Sequence, residues 1–182
     1  NNIYQYILST PFDISTASLD TSQFVLGGGG TQGITFSSDG TKLYEVNGFN
    51  KIVQSDLSTP FEITSAGFEK NINFGGGTPK SIEFSNDGLK MHIIYTGTGG
   101  AIDQFTLSTT FDIATSTLSN TISTEDSFPS GFVWGDNGTK LFEIGESQDQ
   151  IYSVQVVTGG WTEILFMTKH WRRRRETIPS QT

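Results

Sequence analysis

Apolar residues recur at every second position in short runs, and the same order of runs comes round three times. Ile34 and Phe36 alternate with other residues ahead of Asp39-Gly40, Ile82 and Phe84 ahead of Asp87-Gly88, and Phe132 and Trp134 ahead of Asn137-Gly138. Alternation broken by an Asx-Gly pair predicts two antiparallel strands joined by a tight type I′ turn, with both central residues at positive φ. The run after each turn is of another kind. Leu43, Tyr44 and Val46 in one copy, and Met91, Ile93 and Ile94 around His92 in the next, place apolar side chains on both faces. A strand buried on both faces belongs inside a stack of sheets. In the first unit the strands are expected at 3–8, 23–26, 33–37 and 42–47.

The units are tied together by a loop. Leu8-Ser-Thr-Pro-Phe-Asp-Ile14 returns as Leu57-Ser-Thr-Pro-Phe-Glu-Ile63 and as Leu107-Ser-Thr-Thr-Phe-Asp-Ile113, in steps of 49 and 50 residues. A fixed period of this length predicts a stacked or radial repeat architecture. Residues 1–50, 51–100 and 101–150 form three units, and Ile151, the counterpart of Ile3, Ile52 and Ile102, opens a fourth. Residues 1–157 therefore read as three β-repeats with the start of another. Residues 158–167 read as a degenerate final strand region, in which Trp161 stands for Phe12 and Glu163-Ile164 for Asp13-Ile14. Residues 168–182 read as a basic, flexible tail.

The expected fold is all-β with propeller-like repeats, in which each blade is covered by the blades beside it. The alternative is a β-trefoil, which also has three four-stranded repeats. Propellers close with four to eight blades, and this chain supplies about three and a half. Completion by another chain or by a longer parent chain is expected, and the start at Asn1 reads as processed or truncated.

The run Gly33-Ile-Thr-Phe-Ser-Ser-Asp-Gly-Thr-Lys-Leu-Tyr-Glu-Val-Asn47 resembles the blade signature of bacterial YVTN-type β-propellers, and the copies at 81–90 and 131–140 follow it. That resemblance covers about 150 residues and implies an inner strand, a turn and a second strand in each copy. The repeated Leu-Ser-Thr-Pro-Phe-Asp-Ile loop also resembles repeats of large surface and virion-associated proteins of aquatic bacteria and their phages.

Composition narrows the chemistry. The absence of cysteine excludes disulfides and thiol catalysis. No apolar run approaches the roughly 20 residues of a membrane helix, and no signal peptide is visible. Residues 1–168 hold six Lys against eighteen acidic residues, whereas Lys169 and Arg172–Arg175 face only Glu176 in the tail. An acidic body repels nucleic acid, so any contact with an anionic partner falls to Trp171, Arg172, Arg173, Arg174 and Arg175.

Catalytic signatures are missing. Of the two histidines, His92 takes the place of Tyr44 and Phe142, as a packed ring would, and His170 lies in the tail. Gly27–Gly30 and Gly75–Gly77 follow strands but open no helix, so they read as bends and not phosphate loops. The expectation is no enzymatic activity, no cofactor and no metal. Candidate ligand or interaction loops are the repeated pairs Phe12-Asp13, Phe61-Glu62 and Phe111-Asp112, whose acids suit turn capping and whose rings suit an outer core or carbohydrate stacking. Gln5, Gln54 and Gln104 recur as well and are expected to bond within their own blades. Asn137-Gly-Thr139 has the form of a glycosylation sequon but sits where the other copies have Asp-Gly, so turn chemistry accounts for it. These features read together as an extracellular, cell-surface or virion-surface module that associates with itself, with glycan binding as the alternative.

Overall fold

A computed structural model describes residues 2–25, 30–97, 99–147 and 151–155. Thirteen strands run β1 (Asn2–Leu8), β2 (Ala17–Val25), β3 (Thr31–Phe36), β4 (Lys42–Asn47), β5 (Lys51–Leu57), β6 (Ala66–Asn73), β7 (Thr78–Phe84), β8 (Lys90–Thr96), β9 (Ala101–Leu107), β10 (Ser116–Ser123), β11 (Pro129–Gly135), β12 (Lys140–Gly145) and β13 (Ile151–Gln155). They form antiparallel meanders: β1-β2, β3-β4-β5-β6, β7-β8-β9-β10 and β11-β12-β13. The region assigned to the degenerate strand, with Trp161, Glu163 and Ile164, lies outside the described residues. So does the tail with His170, Trp171 and Arg172–Arg175.

The meanders stack face to face, with β3 and β4 against β7, and β11 against β7 and β8. The core is accordingly divided among the gaps between sheets. Ile3 meets Leu43, Leu57 and Ile63 in the first gap. Tyr44, Val46, Ile52 and Phe74 meet Ile82, Met91 and Ile93 in the second, and Ile94, Ile102, Phe132 and Leu141 fill the third. This explains the doubly apolar second strands. Leu43 serves the first gap and Tyr44 and Val46 the second, just as Met91 and Ile93 serve the second and Ile94 the third. Separate four-stranded sheets in layers are propeller blades and not a trefoil.

The innermost strands carry the same irregularity. The register of β3 slips between Thr31 and Gly33, that of β7 between Pro79 and Ser81, and that of β11 between Pro129 and Gly131. Such bulges bend and twist a strand. Here they bring neighbouring blades very close, because a Cβ on Gly33 would lie 2.7 Å from the Lys80 carbonyl oxygen.

The first two hairpin turns correct the type I′ expectation. Only the glycine has positive φ in the first two, Gly40 at 71° and Gly88 at 68°. Gly40 N–H donates to Ser37 O at 2.9 Å, closing a turn whose central residues are Ser38 and Asp39, and Gly40 follows it in the left-handed region. The Asp39 carboxylate accepts from Ser37 Oγ at 2.7 Å and from Thr41 N at 3.0 Å, so its role is to hold the four-residue loop together. In the third hairpin Thr139 N–H donates to Asp136 O at 3.1 Å, and the two central residues, Asn137 and Gly138, both have positive φ as expected, as does Asp136 before them.

Those bonds set an acid limit on stability. The Ser37 hydroxyl, with the Thr41 amide and hydroxyl, lowers the Asp39 carboxyl to about 2. Asp87 is lowered by Ser85 in the same way. A depressed carboxyl stabilises fully above its unfolded value of about 3.9 and loses that contribution as pH falls through the folded value. The melting temperature is therefore expected to fall between about pH 4 and pH 2, and Asp39→Asn to flatten that slope in a pH series of thermal melts.

Candidate functional site

The loop that repeats most closely in sequence also repeats in geometry. Phe12, Phe61 and Phe111 each adopt positive φ, at 63°, 59° and 57°. Each precedes an acidic residue that caps a single 3₁₀ turn: Asp13 accepts from Ser15 N, Glu62 from Thr64 N and Asp112 from Ala114 N. A hydroxyl closes the loop behind it. Thr16 Oγ1 accepts from Thr10 N at 3.1 Å, Ser65 Oγ from Thr59 N at 3.0 Å, and Thr115 Oγ1 from Thr109 N at 3.1 Å. The Asp13 and Glu62 carboxyls are lowered chiefly by the hydroxyls of Ser15 and Thr64. That of Asp112 is lowered chiefly by Lys70.

Positive φ is costly for a bulky residue, and the structure shows what offsets it. Phe61 N–H donates to Gly40 O at 2.9 Å, and Phe111 N–H to Gly88 O at 2.9 Å. The Phe61 ring then covers Gly40 so closely that a Cβ there would lie 2.3 Å from ring carbons, and the Phe111 ring covers Gly88 with 2.5 Å left. Phe36 and Phe84 pack beside these rings with centroids 5.5 Å apart. The Asx-Gly turn and the Pro/Thr-Phe loop are thus two halves of one clamp within a blade.

The residues after the phenylalanine reach the preceding blade. Ile63 N–H donates to Gln5 Oε1 at 3.1 Å, and Ile113 N–H to Gln54 Oε1 at 3.1 Å. Gln5 Nε2 also donates to Glu62 at 3.2 Å, Lys70 Nζ pairs with Asp112 at 2.8 Å, and Tyr44 OH donates to Phe111 O at 2.6 Å. Gln5 and Gln54 therefore bond between blades, not only within them. A partner 58 or 59 residues away leaves no mark on local sequence pattern. Burial raises the Tyr44 phenol, which stays protonated and able to donate. Tyr44→Phe is expected to lower stability by about 1–2 kcal/mol, read from urea melts, by leaving the Phe111 carbonyl without that donor.

No family model matches the sequence, and no curated protein does. Solved structures match in fold. A protein from Lactobacillus plantarum aligns with a TM-score of 0.62 at 18% identity, over 85% of this chain and 45% of its own. A candidate 6-phosphogluconolactonase from Bacteroides fragilis aligns at 0.63 with 16% identity, over 85% and 44%. The periplasmic gluconolactonase PpgL of Pseudomonas aeruginosa aligns at 0.59 with 14% identity, over 85% and 44%. The fold is that of a β-propeller. The chain spans less than half the length of the solved structures it matches. These likenesses also correct the expectation of no enzymatic activity, since propellers of this kind carry lactonase names.

Within the propeller the candidate residues fall into unlike surroundings. Ile63 is 2% exposed and Ile113 0%, whereas Ile14 is 86% exposed and Phe12 99%. Asp13 lies exposed on the loop surface as a cap, whereas Glu62 and Asp112 are half-buried, Glu62 against Gln5 and Asp112 against Lys70. His92 is a buried ring whose Nε2 lies 3.2 Å from Gln104 Oε1 and whose edge packs on Trp134, and burial lowers its pKa. Asn137 sits at the tip of its turn with φ 53°. Among the described residues, no group of three or more His, Cys, Asp or Glu is placed to hold a metal, and no helix is long and apolar enough to cross a membrane.

Proposed function

We propose that the chain is a propeller-type module whose role is self-association, joining blade to blade through the Phe-Asp/Glu-Ile loops. The observation that carries this reading is the contrast within one repeated loop. Two copies bury their isoleucine in the neighbouring blade, while the first holds the same backbone shape with Phe12 and Ile14 in solvent. The edge of β1 away from β2 also has no strand beside it among the described residues, and such an edge invites pairing. A glycan-stacking site would need equivalent free rings, but the Phe111 ring is buried on Gly88 while Phe61, held on Gly40, is half-exposed and Phe12 fully exposed. The likeness of the blade signature to YVTN-type repeats, and a location outside the cell or on a particle surface, belong to this reading.

Light scattering across a concentration series tests it. The reading expects a mass that rises from 19.9 kDa toward multiples of that value, and Phe12→Ser with Ile14→Ser expects to abolish the rise. A mass that stays at one chain throughout contradicts it.

A further inference from the structure

We propose that the cleft between the β7–β10 sheet and the β11–β13 sheet is the receptor for the 11–14 loop of a second copy of this chain. Phe12 of one copy then sits on Gly138 of the other, and its Ile14 N–H bonds to Gln104 Oε1. This inference rests on the self-association reading and names the surface that carries it.

The chain already contains the contact twice. Gly40 and Gly88 lie under Phe61 and Phe111, and Gln5 and Gln54 accept from Ile63 and Ile113. At the third position the receptor is present, and no loop covers it among the described residues. Gly138 has φ 81° and, among the described residues, nothing within 4 Å of where a Cβ would stand. Gln104 Oε1 lies 3.2 Å from His92 Nε2, and no loop N–H reaches it among the described residues. Trp134 takes the place of Phe36 and Phe84, the rings that flank Phe61 and Phe111. Its buried Nε1 has no hydrogen-bond partner among the described residues. A cleft of about 270 Å³ opens between Phe84, His92, Gln104, Trp134 and Gly138.

The opposite half is equally well formed. The 11–14 loop has the backbone and capping of its two seated copies. Ile14 N–H has no partner among the described residues. Strand register agrees as well. In the complete blade Val46 faces Ile52 and Tyr44 faces Gln54, so by repeat position Ile144 would face Ile3 and Phe142 would face Gln5 of the second copy. Within one chain that edge of β12 is held by β13, through Ile144 opposite Ile151 and Phe142 opposite Ser153. Docking therefore exchanges β13 for the β1 of another copy, a strand swap of the kind that builds dimers. Two copies exchanging both ways give six blades, three from each, within the range at which propellers close.

The chain has no cysteine, so a cysteine pair reads the contact directly. Phe12→Cys and Gly138→Cys chains, mixed and mildly oxidised, are expected to give a covalent species of twice 19.9 kDa, and neither alone gives that yield. Gly138→Val is expected to weaken association about tenfold, while the melting temperature of the dilute chain falls only by the backbone cost of a φ of 81°, less than for Gly40→Val. Wild-type association without the mixed disulfide, or undiminished association of Gly138→Val, overturns the receptor and leaves the self-association reading standing. A wild-type chain that stays monomeric overturns both. A Gly138→Cys, Trp161→Cys chain that closes an internal disulfide, while Phe12→Cys stays uncoupled, assigns the receptor to the chain's own C-terminal segment and also overturns the proposal.

Discussion

Gly40→Val is expected to destabilise the chain by about 3 kcal/mol, lowering the melting temperature by roughly 6–12 °C. Two costs act at one atom. A β-branched residue resists the φ of 71° that Gly40 adopts, and its Cβ would lie 2.3 Å from the Phe61 ring. The ring would have to leave its seat, losing the packing on Phe36 and straining the N–H bond from Phe61 to the Gly40 carbonyl. Gly138→Val is the control. Its φ of 81° is just as unfavourable, yet nothing among the described residues stands within 4 Å of the added Cβ. The difference between the two melting temperatures isolates what the seated ring contributes. Equal losses would mean that backbone strain alone explains the glycine, and that the ring adds nothing.

Ile113→Ala is expected to cost about 3 kcal/mol, within the range for truncating a buried isoleucine. Ile113 is fully buried in the gap between the two complete blades, among residues of both sheets. Ile63→Ala should cost a similar amount, through the smaller cluster with Ile3, Leu43 and Leu57. Ile14→Ala, the same residue at the same place in the repeat, should leave a dilute chain within about 0.5 kcal/mol of the original, as exposed substitutions do. Denaturant melts of the three variants at micromolar concentration measure this directly. Equal effects at all three positions would show that the loop acts within its own blade and does not join it to the next.

Much of the fold is legible in the sequence because it depends on local chemistry. Alternation at Ile82 and Phe84 gives a half-covered strand, although Ile34 at the same place in the first copy is exposed, and apolar residues on both faces at Leu43 and Tyr44 require a sheet on either side. The Asp39-Gly40 pair marks a hairpin but not its type. Asx-Gly serves both a two-residue I′ turn and a longer loop with glycine behind the turn, and the side-chain bonds from Ser37 and Thr41 favour the second.

The site is less legible. Asp13, Glu62 and Asp112 can be read as turn caps from their neighbours alone. The seats of Phe61 and Phe111 and the reach of Gln5 and Gln54 depend on residues a hairpin or a whole blade away. One signal was available: the glycine of each turn and the phenylalanine of the following loop recur together, as the halves of a clamp must. The lactonase names among structural neighbours have no counterpart in the sequence, which offers no paired histidines or cysteines from which to infer an activity. Propellers host many roles on one scaffold, so fold and activity must be argued separately.

Amide hydrogen exchange at three isoleucines bears most directly on the central claim, that one repeated loop fastens each blade to its neighbour. In a dilute sample the Ile63 and Ile113 amides, bonded to Gln5 and Gln54, are predicted to exchange only on unfolding, while the Ile14 amide exchanges freely. Raising the concentration should bring protection to Ile14 alone. If Ile14 is already as protected as Ile113 in the dilute chain, or if Ile113 exchanges as fast as Ile14, the loop is not the fastening between blades.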